Sequence, residues 1–111
     1  MAKLVNRAYV STATTGTGTI TLGTPVSGFR SFADAGVVDG DVVRYIIEDG
    51  TDWEIGTGTY TATGTTLSRT VSESSNSNNA ITLTGSAVVF VTAAKNDLIN
   101  RPYAMALIFG S

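Results

Sequence analysis

The 111-residue chain has a formal net charge of −2 and no basic run that could neutralise a nucleic-acid backbone. It has no cysteine and no histidine, which excludes disulfides, thiolate metal sites and imidazole acid–base catalysis. The N-terminus lacks the apolar core of a signal peptide, and no stretch approaches the ~20 apolar residues of a membrane span. Most familiar enzyme designs are thereby excluded, and the chemistries that remain are carboxylate catalysis, threonine or serine with lysine, and calcium bound by oxygen ligands. We expect no cofactor, no nucleic-acid or membrane partner, and synthesis without an export signal.

The first part of the chain predicts two strands and a short helical turn. Alternating residues 4–10 and the β-branched run at 17–22 are typical of strands, with a Thr/Gly turn between them. Phe29 and Phe32 are then spaced three apart and followed by Gly36, which favours one or two helical turns. We expect this turn to close one end of a β structure.

The middle of the chain predicts a hairpin. Val43, Tyr45 and Ile47 share one face of a strand whose other face is also largely apolar, as in a central strand. Asp49-Gly50 is a strong turn signal, and a second strand follows it from residue 53 to residue 60. On this strand, alternation places Trp53 and Ile55 on one face and Asp52 and Glu54 on the other, so we expect the two acids to face solvent and Trp53 to pack inward or across the hairpin.

The remaining pattern completes an all-β domain. Leu67 and Val71 supply a further strand, and residues 81–92 predict a last hairpin turning at 84–86. About seven strands with short turns predict a compact antiparallel β-sandwich or small barrel with one short helical turn, over residues 1–97. The residues expected to be structural or in the core are Phe29, Phe32, Tyr45, Ile47, Trp53, Ile55, Tyr60 and Phe90.

Residues 98–111 differ from the rest because they carry an apolar run near the C-terminus. If this run stayed uncovered it would promote aggregation, so it must be buried against something. A last strand within the same domain and an arm that contacts a neighbouring subunit both remain open. The residues expected to make the subunit or partner contact are Tyr103, Met105, Leu107, Ile108 and Phe109.

The stretch EDGTDWEIGTGTY, residues 48–60, gathers four carboxylates around the single tryptophan. A solvated hairpin turn is the favoured interpretation. Calcium binding remains an alternative, although the spacing does not match an EF-hand loop. A glycosidase would need two carboxylates in a cleft, and a sugar platform would need an exposed aromatic surface. We predict no catalytic, metal or cofactor-binding residue.

Residues 5–95 resemble a Thr/Gly-rich β module of tailed-bacteriophage virion proteins, which occurs alone or within tail-fibre-like chains. The most specific part is the WEIGTGTY region. The matching residues are Gly28-Phe29, Phe32-Ala33, Asp39-Gly40-Asp41, Tyr45, Ile47-Glu48-Asp49-Gly50, Trp53-Glu54-Ile55-Gly56, Gly58-Thr59-Tyr60, Leu67, Arg69 and Phe90-Val91-Thr92. The resemblance implies a virion component without enzymatic activity, made in the host cytoplasm.

Two locations in the particle are compatible with this resemblance. The first hypothesis is a small capsid decoration, or cement, protein that forms a homo-oligomer, expected to be a trimer, on the major capsid protein. The alternative is a module of the tail or of a fibre attachment point that contacts a tail protein and binds host glycan. The resemblance does not distinguish these locations.

Overall fold

Residues with β-branched and aromatic side chains alternate with polar ones over much of the chain, and they form strands. The computed structural model describes residues 3–92. Its elements are β1 (Tyr9–Thr12), β2 (Thr15–Gly16), β3 (Ile20–Thr21), α1 (Phe32–Ala35), β4 (Val42–Asp49), β5 (Asp52–Thr61), β6 (Thr66–Leu67), β7 (Thr70–Ser74), β8 (Leu83–Thr84) and β9 (Ala87–Val91).

The large sheet has seven strands, and every pair of them is antiparallel. Its order is β1-β9-β4-β5-β6-β3, with β7 also paired to β5, and the sheet is curled. Strands β2 and β8 form a separate two-stranded sheet. The prediction of an all-β, antiparallel fold with about seven strands is confirmed.

Helix α1 is the short helical turn that the sequence predicts. The hydroxyl of Ser31 caps its start by accepting a hydrogen bond from the Asp34 N–H at 3.1 Å. Gly36 ends it in the left-handed region, with φ 112°, where glycine has no Cβ penalty. Phe32 points from this helix into the core, is 1% exposed, and packs near Tyr60 with ring centroids 6.5 Å apart.

The first strand is shorter than the alternation predicts. It begins at Tyr9 because Arg7 adopts φ 70°, a left-handed conformation that extended pairing does not allow. The guanidinium of Arg7 instead donates to the Gly28 carbonyl at 2.5 Å and lies over the Phe29 ring. The expected strand at 17–22 is likewise reduced to the two residues of β3.

Four of the eight expected core residues are fully enclosed: Phe32, Tyr45, Ile47 and Tyr60 are each at most 4% exposed. Phe29, Ile55 and Phe90 are only partly buried, because they lie on the other face of the sheet or at its margin. Trp53 was expected to pack inward or across the hairpin, and the inward placement is wrong: the residue is 38% exposed. Tyr103, Met105, Leu107, Ile108 and Phe109, together with the proposed boundary between 97 and 98, lie outside the described residues.

Candidate functional site

The stretch from residue 48 to residue 60 forms the hairpin of β4 and β5. Asp49 pairs with Asp52 across a two-residue loop whose first residue, Gly50, has φ 65°. A positive φ at this position is what a tight antiparallel hairpin requires. The acidic residues therefore stand at the closed end of a regular hairpin.

The four carboxylates of the hairpin do not form a shared site. Glu48 is exposed on one face, and Asp52 is exposed near Ser75. Asp49 accepts hydrogen bonds from the backbone N–H of Thr84 at 2.7 Å and from its hydroxyl at 2.9 Å. Within residues 3–92, no group of three or more acidic residues could hold a metal ion.

Glu54 is the buried member of the four, and its expected solvent-facing position is wrong. Its carboxylate is fully buried and accepts two hydrogen bonds from Arg69, Nη2 to Oε1 at 2.6 Å and Nε to Oε2 at 3.0 Å. The Tyr45 hydroxyl donates to Oε2 at 2.7 Å, and the Ile81 N–H donates to Oε1 at 3.0 Å. Burial of this charge is tolerated because its cation and two further donors are all in place.

The inward and outward faces of β5 are the reverse of those expected from the sequence. Inward positions are held by Glu54, Gly56, Gly58 and Tyr60, while Trp53 points outward. A Cβ at Gly56 would lie 2.6 Å from the Tyr45 hydroxyl oxygen. These glycines allow the side chains of neighbouring strands to lie directly on the β5 backbone, so the inward face needs no large apolar residue of its own.

Arg69 links segments that are distant in the sequence. Besides Glu54, its guanidinium donates to the carbonyls of Gly16 and Gly18, both at 3.2 Å, and of Ile81 at 2.8 Å. Through these hydrogen bonds, one side chain connects the end of β2, the turn that follows it and the segment before β8 to strand β5. We refer to Tyr45, Glu54, Arg69 and the Ile81 N–H as the buried cluster.

The protonation states of the buried cluster do not suit acid–base catalysis. Burial raises the pKa of Glu54, but the hydrogen bonds from Arg69, Tyr45 and the Ile81 N–H outweigh it and hold the pKa below its usual value. Burial, followed by the adjacent Glu54 carboxylate, raises the pKa of Tyr45 far above that of a free phenol. Near neutral pH Glu54 is a paired anion and Tyr45 a neutral donor, so the cluster has a structural role.

An open depression of about 240 Å³ lies beside the hairpin end, lined by Asp52, Ser75, Asn76, Ile81 and Thr82. Its lining shares Ile81 with the buried cluster, but the side chains of Tyr45, Glu54 and Arg69 do not line it. No helix among residues 3–92 is long and apolar enough to cross a membrane.

Glu54 and Arg69 are the structurally important residues whose roles the sequence reasoning missed. A signal was present, because Glu54, Gly56, Gly58 and Tyr60 occupy alternate positions. If Tyr60, rather than Trp53, defines the inward face, strand alternation predicts that Glu54 also points inward. Glycine at every second position of a strand also indicates a face that another chain segment approaches closely.

Comparisons with known proteins give this chain no family. No protein-family model matches it, and neither does any curated protein or solved structure.

Proposed function

We propose that this chain is a structural protein of a tailed-bacteriophage virion, and specifically a small oligomeric capsid decoration protein that stabilises the shell. The proposal starts from the resemblance of residues 5–95 to the virion β module. It includes a homo-oligomer, expected to be a trimer, seated on the major capsid protein. No enzymatic activity is part of it.

The observation that carries the proposal is the set of contacts made in the fold by the residues that carry the resemblance. Glu54 and Arg69 form the buried ion pair, and Gly56 makes room for the Tyr45 side chain. A Cβ at Gly58 would lie 2.8 Å from Cγ of Leu67. The residues that carry the resemblance thus make fold-defining contacts, which is compatible with a structural component.

A β domain of this kind also suits the demands of a particle surface. It has no thiol to oxidise, its described buried side-chain polar atoms all have hydrogen-bond partners, and a bidentate ion pair ties its segments together. Most soluble oligomers are homo-oligomers with closed symmetry, and such an assembly suits a subunit that binds a symmetric shell.

Mixing the purified protein with shells that lack it tests the proposal. We expect the protein to sediment with the shells in a saturable manner, in proportion to the major capsid protein, and to raise the temperature at which the shells open. Native mass measurement of the free protein should give an oligomer, expected to be a trimer. A monomer with no affinity for shells would contradict the proposal.

The tail or fibre-attachment alternative is supported by one separate observation. Trp53 is 38% exposed on a partly apolar face, and exposed aromatic rings are the usual stacking surfaces for sugars. Titration with host polysaccharide while Trp53 fluorescence is recorded tests this alternative. A saturable change in emission that Trp53→Ala removes, with a few copies per particle, would favour the tail location.

A further inference from the structure

The outward face of the large sheet carries an aromatic ring flanked by acidic side chains. Trp53 on β5 pairs directly across the hairpin with Glu48 on β4, and Ile55 on β5 pairs with Glu73 on β7. Directly paired residues of an antiparallel sheet project to the same side, and so do residues two apart on one strand. These four side chains therefore share one part of the outward face, which we call the acidic aromatic patch.

The acidic aromatic patch is open to solvent. Trp53 is 38% exposed, Glu48 and Glu73 are exposed, and Ile55 is only partly buried. Trp53 is not an isolated apolar residue, because Ile55 beside it pairs in turn with the partly buried Ile46. Accessible contiguous apolar surface marks interaction sites, and tryptophan is enriched among the residues that contribute most to binding.

The two acids of the patch have no counter-ion among residues 3–92. Four of the five basic side chains in this part of the chain contact other groups: Lys3 binds Asp41, Arg69 binds Glu54, Arg7 lies over Phe29, and Arg44 donates to Ser72. The fifth, Arg30, forms a bridge with Ala8 just before β1, at the opposite margin of the sheet from β7. The patch therefore presents uncompensated negative charge beside an accessible aromatic ring.

This combination of groups selects a cation. The face of an indole ring attracts positive charge through its quadrupole, and nearby carboxylates add a Coulombic attraction. Arginine matches both features, because its planar guanidinium stacks on aromatic faces and forms two parallel hydrogen bonds to one carboxylate. An acidic segment or a nucleic-acid backbone would be repelled by the same charges.

The arrangement of the two acids favours an extended segment as the occupant. Glu48 and Glu73 are separated by two strand spacings and by one two-residue step along the strands, which places them about 12 Å apart. In an extended chain, residues i and i+4 are about 13 Å apart, and residue i+2 projects to the same side. Arginines at i and i+4 can therefore reach both acids while the residue between them covers Trp53 and Ile55.

We propose that the acidic aromatic patch is the docking site for an extended segment of a partner protein that presents two arginine side chains four residues apart. The guanidinium groups pair with Glu48 and Glu73, and the side chain between them packs on Trp53 and Ile55. The docking site does not depend on the virion proposal, because the charges and the exposed ring are properties of the free subunit.

Titration with short synthetic peptides tests the docking site, with Trp53, the single tryptophan, as the reporter. The probe is acetyl-Arg-Thr-Leu-Thr-Arg-amide, and the control peptide carries citrulline in place of both arginines, which keeps the shape and removes the charge. We expect a saturable change in emission with the arginine peptide and binding at least about 5-fold weaker with the citrulline peptide. This difference should shrink as salt is added, because exposed charges are screened.

Matched variants assign the binding to the patch. Glu48→Gln and Glu73→Gln should each weaken binding of the arginine peptide by about 2–5-fold, the size expected for one exposed ion pair. The double variant should bind the arginine and citrulline peptides almost equally. Asp34→Asn removes the same charge from an exposed position on helix α1 and should leave the affinity unchanged.

The docking site would be overturned by any of three results. If the arginine peptide gives no saturable response, or no more than the citrulline peptide, the patch does not select a cation. If both glutamine variants bind the arginine peptide as tightly as the natural chain does, the peptide binds elsewhere. A saturable response of Trp53 to host polysaccharide, without one to the arginine peptide, would assign the ring to glycan binding instead.

Discussion

Substitution of Arg69 by methionine should be among the most damaging single changes in the described domain. Methionine keeps part of the aliphatic volume but removes every donor. The buried Glu54 carboxylate then lacks its cation, and the carbonyls of Gly16, Gly18 and Ile81 lose the guanidinium. Both side chains of the pair are at most 2% exposed, so water cannot replace the lost partner without opening the core.

Breaking a buried ion pair from one side costs about 3–5 kcal/mol, because an uncompensated charge remains inside. A domain of this size is typically stable by only about 5–15 kcal/mol. With an m-value of about 1.5 kcal/mol/M, the urea midpoint of Arg69→Met should fall by about 2–3 M. The deficit should shrink in acid, because protonation of Glu54 removes the unpaired charge.

Urea unfolding followed by circular dichroism measures this effect, and two companion variants make it specific. Arg30→Met removes an exposed arginine and should change stability by about 0.5 kcal/mol or less. The double variant Glu54→Leu/Arg69→Met should be more stable than Arg69→Met alone, since no buried charge is left. If Arg69→Met lost no more stability than Arg30→Met, the structural role given to the buried cluster would be wrong.

Three further variants address the same cluster. The pKa of Glu54 is lower in the folded state than its unfolded value near 4.5. The stability that the ionised carboxylate contributes is therefore present above pH 4.5 and is lost as the pH falls through the folded-state pKa. Urea titrations in acid should show the stability difference between the natural chain and Glu54→Gln closing. Tyr45→Phe should cost about 1.5–3 kcal/mol in urea unfolding, since it removes a hydrogen bond to a buried carboxylate. Gly56→Ala should lower the free energy of unfolding by about 1–3 kcal/mol, measured by thermal melting, because the added Cβ would meet the Tyr45 hydroxyl and the Thr70 carbonyl. Gly18→Ala is the control: its Cβ would meet open space, so its stability should be nearly unchanged.

The fold class was accessible from the sequence because it follows from local signals. Alternation of β-branched residues, the Asp-Gly turn, and the closely spaced Phe29 and Phe32 before Gly36 are short-range patterns, and the structure contains the elements they predict. The limits of β1 were not accessible in this way. They depend on the left-handed conformation of Arg7, which hydrophobic periodicity does not report.

The inward face of β5 could not be fixed by hydrophobicity alone. Trp53 has the largest apolar side chain of the strand, and an inward Trp53 forces the adjacent Glu54 outward. The actual arrangement depends on Arg69, fifteen residues later, supplying the cation, and on Tyr45 filling the space above Gly56. Arg69 lies in the connection between β6 and β7, and its pairing with Glu54 is a tertiary contact. The alternate positions of Glu54, Gly56, Gly58 and Tyr60 indicate the inward face, but they do not identify Arg69 as the partner.

Imaging of the virion tests the proposed function most directly. Density that fits residues 3–92 should occur as symmetric oligomers, expected to be trimers, at repeated positions on the outside of the shell where major capsid proteins meet. Particles lacking the protein should lose this density and open under milder heating. Density confined to the tail or a fibre attachment point, or its absence from the particle, would contradict the decoration proposal.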